Sequence, residues 1–276
     1  MAGRLYLVGT PIGNLGDLTE RACATLAAVD LLAAEDTRRT GRLLAHLGIR
    51  KRMVSFFEGN ERERTDELLE ALRAGENVGL VTDAGMPAIS DPGFRLVRAC
   101  AQSDIEVRVI PGPSAVTAAL VVSGLPAGRF VFEGFLPRKP GERRERLRAI
   151  ARDPRTVVVF ESPLRLATLL RDVLLELGDR QAAVARELTK LHEEVLRGRV
   201  SEILARLGAV DLKGEVVVVL EGRREDEDTS IEILVAEARQ LVDEGSRKRE
   251  AATTVARRHR ASANAIYEAL SGTAAR

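Results

Sequence analysis

The stretch Leu5-Tyr6-Leu7-Val8-Gly9-Thr10-Pro11-Ile12-Gly13, close to the N-terminus, joins an apolar strand directly to a loop rich in glycine and proline. A helical pattern follows from Asp17 to Ala28, and this order of short strand and longer helix recurs over residues 1–123. Alternation of this kind indicates parallel strands joined by crossover helices and covered on both faces. We therefore predict an α/β domain with a mainly parallel sheet over residues 1–123.

The other elements of this domain are predicted from short apolar runs and from helical spacing. The predicted strands are Leu31–Ala34, Val78–Thr82 and Val107–Ile110, and the predicted helices are Arg38–Leu47, Phe94–Gln102 and Ser114–Val122. Asp17 and Glu20 have the spacing of a helix-capping pair. Pro113 is expected in the first turn of its helix, where an N–H group would have no partner.

A break at residues 123–128 separates this domain from a region whose strands are connected differently. The strand candidates there are Val131–Gly134, Thr156–Phe160, Ala182–Leu188, Glu193–Arg199 and Glu215–Leu220, and the helix candidates are Leu164–Leu177 and Ser201–Leu207. Because a very short loop joins two of these strands, we expect that pair to be antiparallel and the sheet to be mixed. We predict a second α/β domain over residues 129–222 and a basic helical C-terminal extension over residues 228–276.

Composition excludes several classes of function. The 42 basic and 41 acidic residues nearly balance, so any surface that attracts a nucleic acid must be local. Cys23 and Cys100 lack a paired spacing and the three histidines lie far apart, so we expect reduced thiols and no metal site. No apolar run reaches the ~18 residues of a membrane span, so we expect a soluble, cytoplasmic protein without membrane contact.

Three loops that follow predicted strands are unusually rich in glycine, proline and small residues. They comprise residues 9–17, 82–93 and 110–115. Ligands of open α/β sheets bind beyond the carboxyl ends of the strands. The first loop has neither the GxGxxG pattern nor the Lys-Ser/Thr ending of a phosphate-binding loop, which disfavours a nucleoside triphosphate. Each loop alone is most simply a tight turn, but three of them at one edge predict a ligand cleft.

Charged residues also follow predicted strands, at positions that face the same cleft. Glu35-Asp36-Thr37-Arg38-Arg39 follows the second strand, and Arg186-Glu187-Leu188-Thr189-Lys190 follows a strand of the second domain. The first group is either a favourably charged helix N-terminus or a set of acid, base and phosphate contacts. The second group is either a solvated turn whose charges pair with one another or a part of the cleft lining.

Taken in order, these motifs resemble those of the class III, tetrapyrrole methylase-like methyltransferases. The matching segments are Leu5–Leu15, Ala34–Arg38, Asp83–Gly85, Ile89–Gly93, Pro111–Ala115, Gly134–Pro137, Glu161–Pro163 and Arg186–Lys190. The resemblance spans residues 4–222. Within the family, the motifs most resemble those of the bacterial enzymes that methylate a cytidine ribose 2′-hydroxyl of 16S rRNA. Met86, Thr82 and Leu164 stand where that family usually has Thr, Ser and His.

The resemblance implies a two-domain tetrapyrrole methylase-like fold that binds S-adenosylmethionine between the domains and releases S-adenosylhomocysteine. It also implies a homodimer and, as acceptor, 16S rRNA within the small ribosomal subunit. The residues to which it assigns donor binding are Pro11, Asp83, Ala84, Gly85, Met86, Ile89, Ser90, Asp91, Pro113, Ser114, Ala115, Phe135, Leu136, Pro137, Leu188 and Thr189.

Transfer of a methyl group to a ribose hydroxyl needs a base that removes the hydroxyl proton. The candidates for that base, or for an orienting group, are Glu35, Asp36, Glu187 and Lys190. RNA would be positioned by phosphate contacts, for which the candidates are Arg38, Arg39, Arg50, Lys51 and Arg52 beside the cleft, and Arg143 and Arg144 further along. The run around Arg143 is equally well interpreted as a solvated helix face. Since only 3% of the residues are aromatic, we expect little base stacking.

Two other functions stay open at this point. A methyltransferase that acts on a tetrapyrrole would have a wide apolar cleft and no use for the basic residues from Arg247 onward. A non-catalytic ribosome-assembly or RNA-binding factor would keep the fold and bind RNA without transferring a methyl group. The loop from Gly9 to Leu15 and the basic extension favour the rRNA methyltransferase over the tetrapyrrole enzyme.

Overall fold

The computed structural model describes residues 2–207, 214–223, 231–259 and 261–271. These residues form two five-stranded sheets flanked by helices, followed by a cluster of three helices. The predicted fold class, an α/β protein with a parallel sheet, a mixed sheet and a helical C-terminal end, is confirmed. No helix within these ranges is long and apolar enough to cross a bilayer. The acidic stretch Glu225–Asp228 and Arg260 lie outside the described residues.

The first sheet has five parallel strands in the order β3-β2-β4-β1-β5. The strands are β1 (Leu5–Val8), β2 (Leu31–Ala34), β3 (Arg52–Ser55), β4 (Val78–Val81) and β5 (Val107–Ile110), and the helices are α1 (Glu20–Ala28), α2 (Thr37–His46), α3 (Glu61–Arg73), α4 (Phe94–Gln102) and α5 (Ala115–Ser123). Because β1 lies between β4 and β5, the loops that follow these three strands are neighbours at the carboxyl edge.

Two expectations about helix starts are wrong. Thr19 caps α1 by accepting a hydrogen bond from the Ala22 N–H at 3.1 Å, so Asp17 and Glu20 do not form the capping pair. A short 3₁₀ turn, Leu15–Asp17, occupies the position of the expected first helical residue. Pro113 precedes the cap residue Ser114 and therefore lies outside the first turn of α5.

The second sheet has five strands in the order β6-β7-β10-β8-β9. The strands are β6 (Phe130–Phe135), β7 (Thr156–Glu161), β8 (Gln181–Arg186), β9 (Glu194–Arg199) and β10 (Val216–Leu220), and the helices are α6 (Pro140–Ile150), α7 (Pro163–Leu177) and α8 (Val200–Leu207). Only the β6–β7 pair is parallel among the described strands of this sheet, and β8 pairs with β9 in the predicted antiparallel direction.

Helix α5 follows the first sheet in sequence but packs against the second sheet. Alternate residues of β10 point to opposite faces: Val216 and Val218 join the core formed with α7 and α8, whereas Val217 and Val219 pack against α5. Leu120 of α5 is buried in that second core. Its other members include Val116, Ala119, Val158, Ala183 and Ala185. The small alanines of β8 let the helix lie close to the strand, so this packing sets the distance between the sheets.

The three C-terminal helices form a cluster with a core of its own. They are α9 (Ile231–Asp243), α10 (Lys248–His259) and α11 (Ala263–Ser271). Leu234, Val255 and Ile266, one from each helix, are buried together. Lys248, Arg249 and Arg257 of α10 are exposed, so these three basic side chains of the extension face solvent.

We predict that Leu120→Ala lowers the free energy of unfolding by ~2–5 kcal/mol, because it leaves a cavity between α5 and the second sheet. Val121→Ala on the same helix is the control, since Val121 is 72% exposed and surface substitutions change stability by about 0.5 kcal/mol or less. Urea denaturation followed by circular dichroism measures both. Equal losses of unfolding free energy in the two variants would show that the buried contact of α5 with the second sheet does not stabilise the fold more than an exposed residue does.

Candidate active site

A cavity of about 360 Å³ lies beyond the carboxyl edge of the first sheet and extends to the second sheet. We call it the donor cleft. Its lining from the first sheet comprises Ile12, Glu35, Arg39, Asp83, Ala84, Gly85, Met86, Ile89, Asp91, Ser114, Ala115 and Val116. Its lining from the second comprises Phe135, Phe160, Glu161, Ser162, Pro163, Gly214, Glu215, Val216 and Val217. Both sheets therefore contribute walls, and the volume is within the usual ~300–1,000 Å³ of small-molecule sites.

Backbone contacts between loops build the floor of the donor cleft. Thr10 and Gly85 exchange backbone hydrogen bonds at 2.9 and 3.1 Å, which ties the loop after β1 to the loop after β4. A Cβ atom on Gly9 would lie 2.7 Å from the Gly112 backbone and 2.8 Å from the Met86 sulfur, so glycine is required at this crossing. Met86 thus fills the space beside Gly9 with its thioether, where its side chain offers no hydroxyl group.

The loops of the cleft also hold strained residues. Five non-glycine residues of the described chain have left-handed φ angles. Ala88 and Ser90 lie in the loop after β4, and Glu187 and Thr189 lie in the loop after β8; only Asp104 lies elsewhere among those five. Such conformations cost of order 1–3 kcal/mol each and tend to occur at functional sites. Ala88 and Ser90 flank Ile89, which lines the donor cleft, so two of these strained residues belong to a loop of the site.

Three carboxylates from the loops of the first sheet line the donor cleft: Glu35, Asp83 and Asp91. Glu35 accepts a hydrogen bond from the Asp83 N–H at 3.0 Å, and Asp91 lines the same cavity. Desolvation raises the pKa values of Glu35 and Asp83. The positive charge of Arg39, which pairs with Asp83 at 3.1 Å, acts in the opposite direction on both pKa values. Desolvation, with a smaller repulsion from Glu35, raises the pKa of Asp91 to about 7. The site thus holds one carboxyl group, that of Asp91, that can exchange a proton near neutral pH.

Asp36, another base candidate, is a helix cap. It is the N-cap of α2, where it accepts a hydrogen bond from the Arg38 N–H at 2.8 Å and pairs with the Arg38 guanidinium at 3.0 Å. These hydrogen bonds from Arg38 lower the pKa of Asp36 to about 2. A carboxylate with so low a pKa is a poor proton acceptor, so the stabilising interpretation of this residue fits the structure better than the catalytic one.

Glu187 and Lys190 pair with each other at 2.9 Å. The hydrogen bond from Lys190 lowers the pKa of Glu187. Burial lowers the pKa of Lys190, but Glu187 and Glu215 together outweigh burial and raise it. Neither group has the pKa shift that a base needs. Lys190 instead packs over Gly13, where a Cβ atom would meet its side chain at 2.5 Å, so the loop after β8 contacts the loop after β1 here.

The structure brings most of the predicted donor-binding residues to the donor cleft. Asp83, Ala84, Gly85, Met86, Ile89, Asp91, Ser114, Ala115 and Phe135 line it. The other predicted residues lie around it. Pro11 lines a neighbouring cavity, Pro113 and Thr189 line another, and Ser90 is exposed. The side chains of Leu136 and Leu188 are buried in apolar cores, and the Pro137 carbonyl accepts a hydrogen bond from Arg165 at 3.4 Å. Leu136 and Leu188 can therefore contact a ligand only through their backbone atoms.

The placement of several RNA-contact candidates is wrong. Arg50, Lys51 and Arg52 lie at the start of β3, and hence at the opposite edge of the parallel sheet from the cleft. Lys51 donates to the Ala27 carbonyl at 2.8 Å, and Arg52 pairs with Glu76.

The candidates on α6 also differ from expectation. Arg143 is 4% exposed and pairs with buried Asp172 at 2.6 Å, so its guanidinium cannot reach a phosphate. Arg144 pairs with the same carboxylate at 2.8 Å but is partly exposed. The α6 arginines are thus largely committed to ion pairs within the chain.

Sequence reasoning missed several residues of the lining. Glu161 is the last residue of β7 and Ser162 follows it, and Gly214 and Glu215 precede β10. The carboxylate of Glu161 is 1% exposed and pairs with Arg165 at 3.2 Å. A rule based on the carboxyl ends of parallel strands points to Glu161 but not to Glu215, because β10 is antiparallel and enters the sheet at this edge.

The residues present fit a methyl donor of the nucleoside type. Ile89 and Phe135 expose apolar surface beside the cleft, and Ala84 and Ala115 leave room between them. The buried Oδ1 of Asp83 accepts no hydrogen bond within the described residues, so it can accept one from a ligand hydroxyl or ammonium group. The carboxylates favour a positively charged ligand such as a sulfonium.

Comparison with known proteins agrees with this geometry. The model of the family Tetrapyrrole (Corrin/Porphyrin) Methylases matches residues 4–204, and the chain belongs to this family. It is 51% identical over 221 residues to the ribosomal RNA small subunit methyltransferase I of Thermotoga maritima, covering 80% of this chain and 99% of that relative. It is 45% identical to the protein of the same name from Synechocystis sp., covering 96% of each.

A solved structure is similar over most of the chain. The crystal structure of uroporphyrin-III C-methyl transferase from Thermus thermophilus complexed with S-adenyl homocysteine has a TM-score of 0.57 and 26% identity, covering 79% of this chain and 97% of that one. The predictions of a methyltransferase and of S-adenosylmethionine as its methyl donor are confirmed.

The described residues include no group of three or more His, Cys, Asp or Glu suited to hold a metal ion. Cys23 and Cys100 are free, and burial raises the pKa of the Cys100 thiol to about 11. A thiol with so high a pKa is a poor nucleophile at neutral pH.

We predict that Asp91→Asn stabilises the free protein at neutral and alkaline pH. The pKa of Asp91 is about 7 in the folded state and ~3.9 in an unfolded chain, so the folded state binds the proton more tightly. Wild-type stability then falls as pH rises from about 4 to about 7, and Asn removes that loss. Urea denaturation at about pH 4, 6, 8 and 9 should show the gap between variant and wild type widening up to about pH 7 and levelling above it.

Asp66→Asn is the matched control, because Asp66 is an exposed carboxylate on α3, away from the cleft. A gap for Asp91→Asn that stays constant with pH, or that equals the gap for Asp66→Asn, would contradict this account of the cleft.

Proposed function

We propose that the chain transfers a methyl group from S-adenosylmethionine to a cytidine ribose 2′-hydroxyl of 16S rRNA in the small ribosomal subunit. The observation that carries this proposal is the cluster of desolvated carboxylates at the mouth of the cleft, directly beside the exposed arginines of α2. A carboxylate can accept the proton of a ribose hydroxyl, and arginines beside it suit the phosphates of that nucleotide. The names of the relatives support the same class of acceptor.

Glu35 is the base that we propose. When bound, S-adenosylmethionine supplies a methyl group that passes to the acceptor oxygen as its own bond to sulfur breaks. A base that takes the hydroxyl proton during this attack contributes typically ~10²–10⁴-fold. Burial raises the pKa of Glu35 and makes it a stronger base, and the Asp83 N–H holds its carboxylate in place at 3.0 Å. The low pKa of Asp36 and the raised pKa of Lys190 suit that role less well.

The residues that we propose for donor binding are the predicted ones that line the cleft. Among them, Asp91 faces the positive charge of the donor, and Ile89 and Phe135 lie beside its nucleobase. Arg38 and Arg39 of α2, which are 86% and 63% exposed, are proposed as phosphate contacts, with Arg144 as a more distant one. Because the proposed substrate belongs to the ribosome, we place the protein in the cytoplasm.

We propose in addition that two copies of the chain form a homodimer. Phe57 and Phe94 are 45% and 65% exposed. The buried Glu61 carboxylate accepts hydrogen bonds from the Gly93 and Arg95 N–H groups at 3.0 and 3.1 Å, which draws the starts of α3 and α4 together. The two phenyl rings therefore belong to one region of surface, of the aromatic kind that is enriched in interfaces.

Purified protein with labelled S-adenosylmethionine should label small ribosomal subunits from cells that lack the enzyme, and nuclease digestion with mass spectrometry should find the label on a cytidine ribose. Glu35→Gln should lower kcat by ~100-fold or more because the base is lost, with little change in the affinity for S-adenosylhomocysteine. The control is Glu63→Gln, an exposed carboxylate on α3.

Label on a base, or on a tetrapyrrole and not on RNA, would contradict the proposed acceptor. Binding of RNA without any transfer would support the non-catalytic factor instead. Full activity of Glu35→Gln would remove Glu35 from the mechanism while leaving the acceptor unaffected.

For the dimer, light scattering after size-exclusion chromatography should give twice the 30.0 kDa chain mass for the wild type. Phe94→Glu should shift the mass to that of one chain, because it places a charge in the apolar contact. Leu164→Glu, at a side chain 84% exposed on the second domain, is the control. A monomeric wild type would contradict the homodimer, and an unchanged Phe94→Glu would place its contact elsewhere.

A further inference from the structure

A second cavity lies against the donor cleft, separated from it by the Asp83–Arg39 ion pair. Its volume is about 300 Å³, and its walls come from the loop after β1, from α2 and from the end of β4. Asp83 and Arg39, which pair at 3.1 Å, line both cavities. A molecule in the second cavity and a molecule in the donor cleft would therefore both contact this ion pair.

The second cavity combines apolar walls with a basic rim. Pro11, Leu15 and Leu43 provide carbon surface, whereas Arg39 and Arg42 provide guanidinium groups. Arg39 is partly neutralised by Asp83, but exposed Arg42 makes no ion pair within the described part of the chain. Apolar walls suit the faces of a nucleobase and ribose, and an unpaired guanidinium suits a phosphate. The chemistry is that of a nucleotide site.

The dividing wall also contains the groups that a methyl acceptor needs. Asp83 Oδ1 is buried and accepts no hydrogen bond among the described residues, so a hydroxyl group in the second cavity can donate to it. The Asp83 backbone in turn holds Glu35 at 3.0 Å. A ribose hydroxyl placed against Asp83 would thus lie next to both the base and the donor, as a transfer reaction requires.

We propose that this second cavity holds the target nucleotide of the RNA acceptor, with its ribose against Asp83 and its phosphate on Arg42. The inference rests on the proposed function and assigns its substrate subsite. Arg42 then acts as a positioning residue that orients the acceptor and takes no part in the chemistry. Arg42→Lys should preserve part of its effect, because the charge remains while the bidentate geometry is lost.

The test uses the full-length protein, with small ribosomal subunits as substrate. Arg42→Ala should raise KM for the subunits by ~10-fold and reduce the slope of log affinity against log salt concentration by about one, since one phosphate contact is lost. The affinity for S-adenosylhomocysteine, measured by calorimetry, should stay within about twofold. The control is Arg50→Ala, because Arg50 is also exposed and follows α2 but lies at the opposite edge of the sheet.

A second measurement does not depend on methyl transfer. Wild-type protein with S-adenosylhomocysteine should bind a fluorescently labelled oligocytidylate RNA, and Leu15→Trp should weaken that binding by filling the cavity mouth, where Leu15 is 49% exposed. Leu164→Trp is the control for the added ring.

The outcomes separate the two proposals. In one outcome the subunits are not labelled, and oligocytidylate binding is lost in Arg42→Ala and Leu15→Trp but kept in Arg50→Ala and Leu164→Trp. The proposed function then fails, while the assignment of the second cavity as a nucleotide site is supported. If Arg42→Ala behaves like Arg50→Ala in both assays, or if Leu15→Trp binds RNA as the wild type does, the second cavity is not the acceptor subsite. A loss of S-adenosylhomocysteine affinity in Arg42→Ala equal to its loss of RNA affinity would also overturn the assignment.

Discussion

The packing of α5 on the second sheet is the contact on which the site depends. The first turn of α5 lines the donor cleft, and the rest of the helix is buried on β8 and β10. Its buried residues pack against alanines of β8 and valines of β7 and β10 in one apolar core. One short helix thereby connects the edge that bears Asp83 to the wall that bears Glu161, and the width of the cleft follows from the packing of an apolar core.

That geometry explains the electrostatics of the cleft. Glu35, Asp83 and Asp91 are withdrawn from water by the walls that α5 holds in place, while Arg39 is the cation among the lining residues of the donor cleft. Desolvated like charges raise one another's pKa, and a bound cation relieves that repulsion. The same carboxylates can therefore attract a sulfonium donor and, at Glu35, accept a proton. Met86, packed against Gly9, leaves backbone groups to supply the remaining polar contacts of its loop.

The sequence predicted the order of strands and loops well, because parallel sheets bring the ends of their strands to one edge. It predicted the lining less well where tertiary contacts decide. The sequence makes Arg143 a candidate phosphate contact or part of a solvated face, and neither fits, because its partner Asp172 lies on α7, far away in sequence. Lys51 was placed beside the cleft because β3 and its direction were not recognised. Glu215 was not found, since only the antiparallel pairing of β10 brings it to this edge.

The separate core of α9, α10 and α11 has a consequence for cooperativity. Leu234, Val255 and Ile266 pack with one another, and the strongest contacts of these helices are within the cluster. Cooperative unfolding requires that the loss of one part remove the support of another, and such coupling is weak where cores are separate. The chain is thus expected to melt in more than one transition, so that heat or denaturant can release the C-terminal helices while the methyltransferase body stays folded.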